Sequence, residues 1–215
     1  MIPSYKIVVN KTFQVAVGGL VPNMTNSLSY VSGSSFAVND IAGLLGTVTQ
    51  YPDAEKYHLS KLKSSGPYNQ TTFLSIRNLS FIESESSFGG QNIFDYFIDG
   101  KADVLAPIML KIFNSNAIMG YHGVPQMPLY VYKAILDELS PVADTDMLVD
   151  SYCVVGANIL YQRNTLGGHY DEYYNGDILA FEWLSRILDG TWSRTYPSQV
   201  CTIQNVTVGT VNTGD

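Results

Sequence analysis

The chain has 215 residues, 46% of them hydrophobic and only 14% charged, with a net charge of −7. This balance excludes a disordered chain, and the absence of any basic cluster excludes both nucleic acid and an anionic membrane surface as charge-held partners. The longest apolar stretches, 15–21 and 41–48, fall far short of the ~18 residues a transmembrane helix needs.

The alternating residues 12–17 followed by Gly18 and Gly19 predict a buried strand. The next hundred residues predict helices broken by turn residues. Ile41, Leu44, Leu45 and Val48 recur at helical spacing behind Asn39 and Asp40 as a cap. Pro52 and Asp53 open a second helix carrying Leu59 and Leu62. Phe73, Ile76 and Leu79 mark a third, and Ile93, Phe94, Phe97 and Ile98 a fourth that stops at Gly100. Val104, Leu105, Ile108 and Ile112 mark a fifth, with Pro107 near its first turn.

The grammar changes after Gly123. Residues 129–134 are rich in strand formers, and Asp137 and Glu138 follow in a loop. Residues 145–155 predict a helix ending at Gly156, residues 158–162 a strand, and residues 177–188 a helix ending at Gly190. Strand, loop, helix, strand, loop, helix is the order of a parallel sheet with covering helices, an α/β fold. The expected organisation is a core strand in 1–22, a helical insertion in 23–123, and a second core segment in 124–215.

In such sheets chemistry collects in the loops after the strands' carboxyl ends. Asp137 and His169 occupy two of these loops on consecutive strands. An Asp followed by a His is the order of the acid and base in an α/β-hydrolase triad. The carboxylate holds the imidazole in the tautomer that accepts a hydroxyl proton and stabilises the imidazolium that forms. The plainer reading makes Asp137 a turn cap and His169 a surface loop residue.

Other side chains have structural readings that compete with functional ones. His122, between Gly120 and Gly123, fits a turn better than a ligand. Asp144, Asp146 and Asp150 fit acids complementing the N-terminal end of a helix better than a cation site. His169, Asp171, Glu172 and Asp177 match no standard zinc spacing, so no metal and no cofactor is expected. Five Asn-x-Ser/Thr triplets, at Asn10, Asn23, Asn69, Asn78 and Asn205, are candidate glycosylation sites. Cys153 and Cys201 fit either one disulfide or two free thiols. The first residues lack the basic start and apolar core of a signal peptide. With the triplets, this predicts a secreted protein whose own N-terminus precedes the chain.

Residues 124–141, VPQMPLYVYKAILDELSP, resemble the secretory lipases of Candida-type yeasts, the lipase-A-like α/β-hydrolases. So do Asp144-Thr145-Asp146, Tyr152-Cys153, Gly156-Ala157-Asn158-Ile159, Gly168-His169 and Asp189-Gly190. The resemblance implies the C-terminal part of an α/β-hydrolase fold, with Asp137 as catalytic acid and His169 as catalytic base. It pairs Cys153 with Cys201 and makes the helical insertion a cap at the acyl-binding site, facing a lipid–water interface. The implied protein is a secreted triacylglycerol lipase acting on lipid esters.

The sequence departs from the family at one point: it contains no Gly-x-Ser-x-Gly. The nearest approach, Gly33-Ser34-Ser35-Phe36-Ala37, lacks the second glycine. In the family the nucleophile elbow and oxyanion hole precede the strand expected at 12–17, so an upstream lipase half is the expected partner. The alternative is a catalytically inactive remnant serving as a secreted or cell-surface binding module.

Overall fold

A computed structural model describes residues 14–191 and 201–209. Asn10 lies outside them. In chain order, strand β1 (Val15–Gly18) precedes helices α1 (Met24–Tyr30), α2 (Ala37–Val48), α3 (Pro52–Lys61), α4 (Gln70–Ser75), α5 (Phe81–Phe88), α6 (Lys101–Val104) and α7 (Pro107–Asn116). Short 3-10 turns cover Ile76–Asn78 and Ile93–Tyr96. Then come β2 (Leu129–Ala134), α8 (Val142–Val154), β3 (Ile159–Asn164), α9 (His169–Leu188) and β4 (Thr202–Val206). The chain divides into two compact units, one holding the strands with α8 and α9, the other Asn23–Met119.

In the sheet unit the strands lie in the order β1-β2-β3-β4, every pair parallel. The central strands β2 and β3 are buried along nearly their whole length, as parallel strands covered on both faces must be. Side-chain alternation splits them cleanly. Leu129, Val131, Ile159 and Tyr161 pack with Leu148, Val149 and Tyr152 of α8. Tyr130 and Leu160 pack with Ala180 and Trp183 of α9. Cys153 at the end of α8 is disulfide-bonded to Cys201, which leads into β4.

Four expectations for this unit change. Of the strand expected at 12–17, residues 12 and 13 lie outside the described residues, Gln14 precedes the strand, and Gly18 belongs to it. The strand expected at 158–162 runs to Asn164, and β4 was not foreseen. The helix expected to start near Asp177 starts at His169. Gly176 lies inside that helix, and the Tyr132 ring fills the space where a side chain on it would be.

The helical unit is built around Leu28, Ile41, Leu44, Val48, Phe73, Phe88, Ile93, Tyr96, Phe97, Met109 and Phe113, all buried. Pro52 and Pro107 each sit in the first turn of their helices, where a missing N–H costs nothing. Asp40 is not a cap: α2 begins at Ala37, and Asp40 is buried inside its first turn. Residues 70–78 form a short helix with a 3-10 turn, and 93–96 form only a 3-10 turn. The helix expected through 104–112 is two, because Ala106 is extended ahead of Pro107. Helices α1 and α5 were not foreseen, although Ser80 and Glu83 form a capping box at the start of α5.

Candidate active site

The carboxyl ends of β1, β2 and β3 meet at one carboxylate. Asp137, three residues beyond β2, is almost fully buried. Its Oδ1 accepts the backbone N–H groups of Leu139 at 2.9 Å and Ser140 at 2.8 Å, which fixes the turn and the carboxylate plane. Its Oδ2 lies 2.8 Å from His169 Nδ1 and accepts from Lys133 Nζ at 2.9 Å. Burial alone would raise this carboxyl. The bond to His169, the Lys133 charge and the Ser140 N–H prevail and hold it below the usual carboxylate range.

An ionised Asp137 can only accept, so the proton between it and His169 belongs to Nδ1. The Nε2 lone pair then faces away from Asp137, and Nε2 makes no hydrogen bond to a described residue. The imidazole keeps about a fifth of its surface exposed, at 21%. An imidazole held in this tautomer and partly exposed can accept a proton at Nε2.

Three further contacts set the position of His169. It is the first residue of α9, and its backbone N–H donates to Glu138 Oε2 at 2.8 Å. Asp137 and Glu138 therefore hold the same residue by ring and by main chain. A Cβ on Gly168 would overlap the Glu138 carboxylate, so a larger residue there would push that side chain from its place. Gly19, in the turn after β1 with φ +58°, has the His169 ring over it: a Cβ there would stand 3.0 Å from Cε1.

The loop before His169 is held by Asn164 at the end of β3. Its Oδ1 accepts from Leu166 N and Val208 N, each at 3.1 Å. Its Nδ2 donates to Val208 O at 2.7 Å and to Glu172 Oε2 at 2.8 Å. Burial pushes the Glu172 carboxyl up to about 7, the Asn164 bond opposing and the Asp137 charge adding to the rise.

The structure thus brings Asp137 and His169 together. It leaves His122 exposed in a turn, puts Asp144 in the first turn of α8, and pairs Asp146 with Arg163 at 3.2 Å. Asn23 and Asn69 accept backbone N–H groups as helix caps, Asn205 accepts from Arg163 Nε, and Asn78 and Asn205 are exposed. Sequence reasoning missed Lys133, Glu138, Asn164 and Glu172 as members of the site. Lys133 carried a usable signal, being a cation inside an apolar strand four residues before the Asp.

Residues 3–194 match the secretory lipase family. The chain belongs to that family. It is 41% identical over 197 residues to the trichothecene C-3 esterase of Fusarium sporotrichioides, covering 92% of this chain and 44% of that protein. It is 32% identical over 181 residues to lipase A of Arthroderma benhamiae, covering 81% of this chain and 37% of that protein. The crystal structure of Candida antarctica lipase A superposes with a TM-score of 0.75 at 24% identity, covering 90% of this chain and 45% of that one. The fold is accordingly part of an α/β-hydrolase, as the resemblance implied. The chain spans less than half the length of these relatives. Among the described residues no helix is long and apolar enough to cross a membrane.

Proposed function

We propose that this chain supplies the acid and base of a secreted carboxylic ester hydrolase. His169 Nε2 takes the proton of a serine hydroxyl as that oxygen attacks the ester carbonyl, and then delivers it to the departing alcohol oxygen. Water repeats the cycle on the acyl-enzyme. Asp137 keeps the Nδ1–H tautomer and stabilises the imidazolium. The observation that carries this reading is the 2.8 Å contact between His169 Nδ1 and a buried carboxylate whose contacts at Leu139, Ser140 and Lys133 are all donors.

No Gly-x-Ser-x-Gly occurs in the 215 residues. The serine and the oxyanion donors are therefore assigned to an upstream lipase half, and residues 23–123 to a cap that meets the acyl chain and the lipid–water interface. Secretion is supported by relatives such as the secreted triacylglycerol lipase of Malassezia furfur. Among the described residues, Asn78 and Asn205 are the glycosylation candidates that are exposed.

By family resemblance the substrate is a triacylglycerol. A second reading, cleavage of a trichothecene ester, is favoured by the 41% identity to a trichothecene C-3 esterase. Co-expression with the upstream half of a secretory lipase, assayed on trioleoylglycerol and on an acetylated trichothecene, separates the two. In that assembly His169→Ala should abolish turnover, and Asp137→Asn should lower kcat by about 10⁴-fold. The chain alone should neither hydrolyse nitrophenyl esters nor label with a fluorophosphonate. Either variant keeping more than about a tenth of parental turnover would overturn the assignment. No turnover in any arm would favour the non-catalytic binding module.

A further inference from the structure

Lys133 has no exposed surface, although it belongs to an otherwise apolar strand. An ammonium group so placed must be paired, or it would deprotonate or leave. Its Nζ donates to Asp137 Oδ2 at 2.9 Å and to the Leu20 carbonyl, in the segment after β1, at 2.8 Å. The oxygen it contacts on Asp137 is the same one that contacts His169 Nδ1. A single oxygen therefore answers to two partners on opposite errands: one cation fixed in the core, and one ring that becomes a cation during proton transfer.

We propose that Lys133 is a positioning residue of the Asp137–His169 pair. It pins Oδ2 against the imidazole and limits how much of the carboxylate's charge the ring feels. This rests on the proposed roles of Asp137 and His169. Beside His169 with Lys133 present stands an ion pair of zero net charge; without Lys133 stands a bare carboxylate. A bare carboxylate favours the imidazolium, the form that cannot act as a base. Lys133 thus keeps the ring available as a base over a wider range of pH, at some cost to how strongly Asp137 stabilises the imidazolium.

The other charges around the pair have engagements of their own. Glu138, in the loop after β2, accepts from His169 N. On α9, Asp171 accepts from Gly168 N, and Glu172 accepts from Asn164. From α8, Asp144 and Asp146 act on Lys133 through space, with Asp146 also held by Arg163. Lys133 contacts the Asp137 carboxylate directly, at 2.9 Å.

The test is an NMR pH titration of the His169 ring in the 215-residue chain, with His58 and His122 assigned by replacement with Gln. Lys133→Met removes the charge and the donors. Lys133→Gln removes the charge but keeps a donor for Oδ2, and so guards against a variant that fails to fold. Both should move the His169 midpoint upward by about one pH unit. Lys133→Arg should leave it near the parental value. An unshifted midpoint in Lys133→Gln overturns the proposal. So does a Lys133→Gln protein that no longer folds, which would make Lys133 a purely structural lysine. Failure of the hydrolase reading would appear separately, as absent ester turnover in the co-expressed protein alongside the expected shift in the titration.

Discussion

Asp137 in the sheet unit and Asp40 in the helical unit are both buried acids, and their surroundings treat them in opposite ways. In the sheet unit, Lys133 and Asp137 are buried and hydrogen-bonded to each other, and so, separately, are Asn164 and Glu172. In the helical unit, Asp40 and His58 are buried with Asp40 Oδ2 and both imidazole nitrogens lacking partners. His58 is instead wrapped by rings, with the Phe97 centroid at 4.8 Å and the Phe73 centroid at 5.6 Å. A paired buried charge fixes geometry, which chemistry needs. An unpaired polar group fixes nothing and costs stability, because its charged form has been shut out of the core.

The sharpest way to separate the units is through the crosslink. The Cys153–Cys201 disulfide closes a span of 48 residues within the sheet unit. In the chain-entropy treatment a loop of that size contributes about 4 kcal/mol. Reduction, or Cys201→Ser, should lower the melting transition of the sheet unit and leave the helical unit's transition in place. A single melting transition that shifts as a whole would show that the units do not unfold independently.

The next effect lies in the helical unit and depends on pH. Burial raises the Asp40 carboxyl from 3.8 to about 8, so the folded state holds a proton that the unfolded state releases. Stability then falls as pH rises from about 4 to about 8. Burial lowers His58 from 6.5 to about 4, so here the unfolded state holds the extra proton. Stability from this group rises over about 4 to 6.5. The two slopes oppose each other up to pH 6.5, and above it only that of Asp40 remains. Asp40→Asn should stabilise the unit by on the order of 2–4 kcal/mol at pH 7 and by little at pH 4. His58→Phe should help by about 1–2 kcal/mol near pH 5 and expose the Asp40 slope over the whole range. Denaturant unfolding of both variants across pH 4–8 reads these slopes, and parallel stability curves for wild type and variants would refute them.

The smallest effect concerns a feature of the helical unit that is fully paired. Ser80 Oγ accepts from Glu83 N, and the Glu83 carboxylate accepts from Ser80 N at 2.8 Å. Ser80→Ala should cost about 1 kcal/mol in the same unfolding assay. A loss several times larger would mean that α5 is the weak point of its unit.

These features were unequally legible. Strand β2 could be read to the residue, because a run of strand formers bounded by Pro128 and the Asp137 turn has one period and two clear ends. The proline of α3 marked its start for an equally local reason, whereas Pro107 was read inside a helix that it in fact begins. Asp137 and His169 were visible as residues in successive loops, and the 2.8 Å between them required the sheet. The early start of α9 was hidden because tertiary contact, with Tyr132 against Gly176, overrides a glycine's local preference. For Lys133 the chain shows a cation in an apolar strand four residues before an Asp, but the meeting of the two side chains with the Leu20 carbonyl after β1 required the fold.

Gly18 and Gly19 looked like punctuation at the end of a strand. In the folded chain they are a seat: a Cβ on Gly18 would enter the Tyr132 ring, and one on Gly19 would press on the His169 ring. The position of the imidazole is thus defined from one side by what Gly19 lacks. Information about a reactive group is stored there as missing atoms, in a stretch more than a hundred residues away along the chain. Such a site can be damaged by addition as readily as by deletion, and a search for chemically active side chains would pass over the positions where addition does the harm.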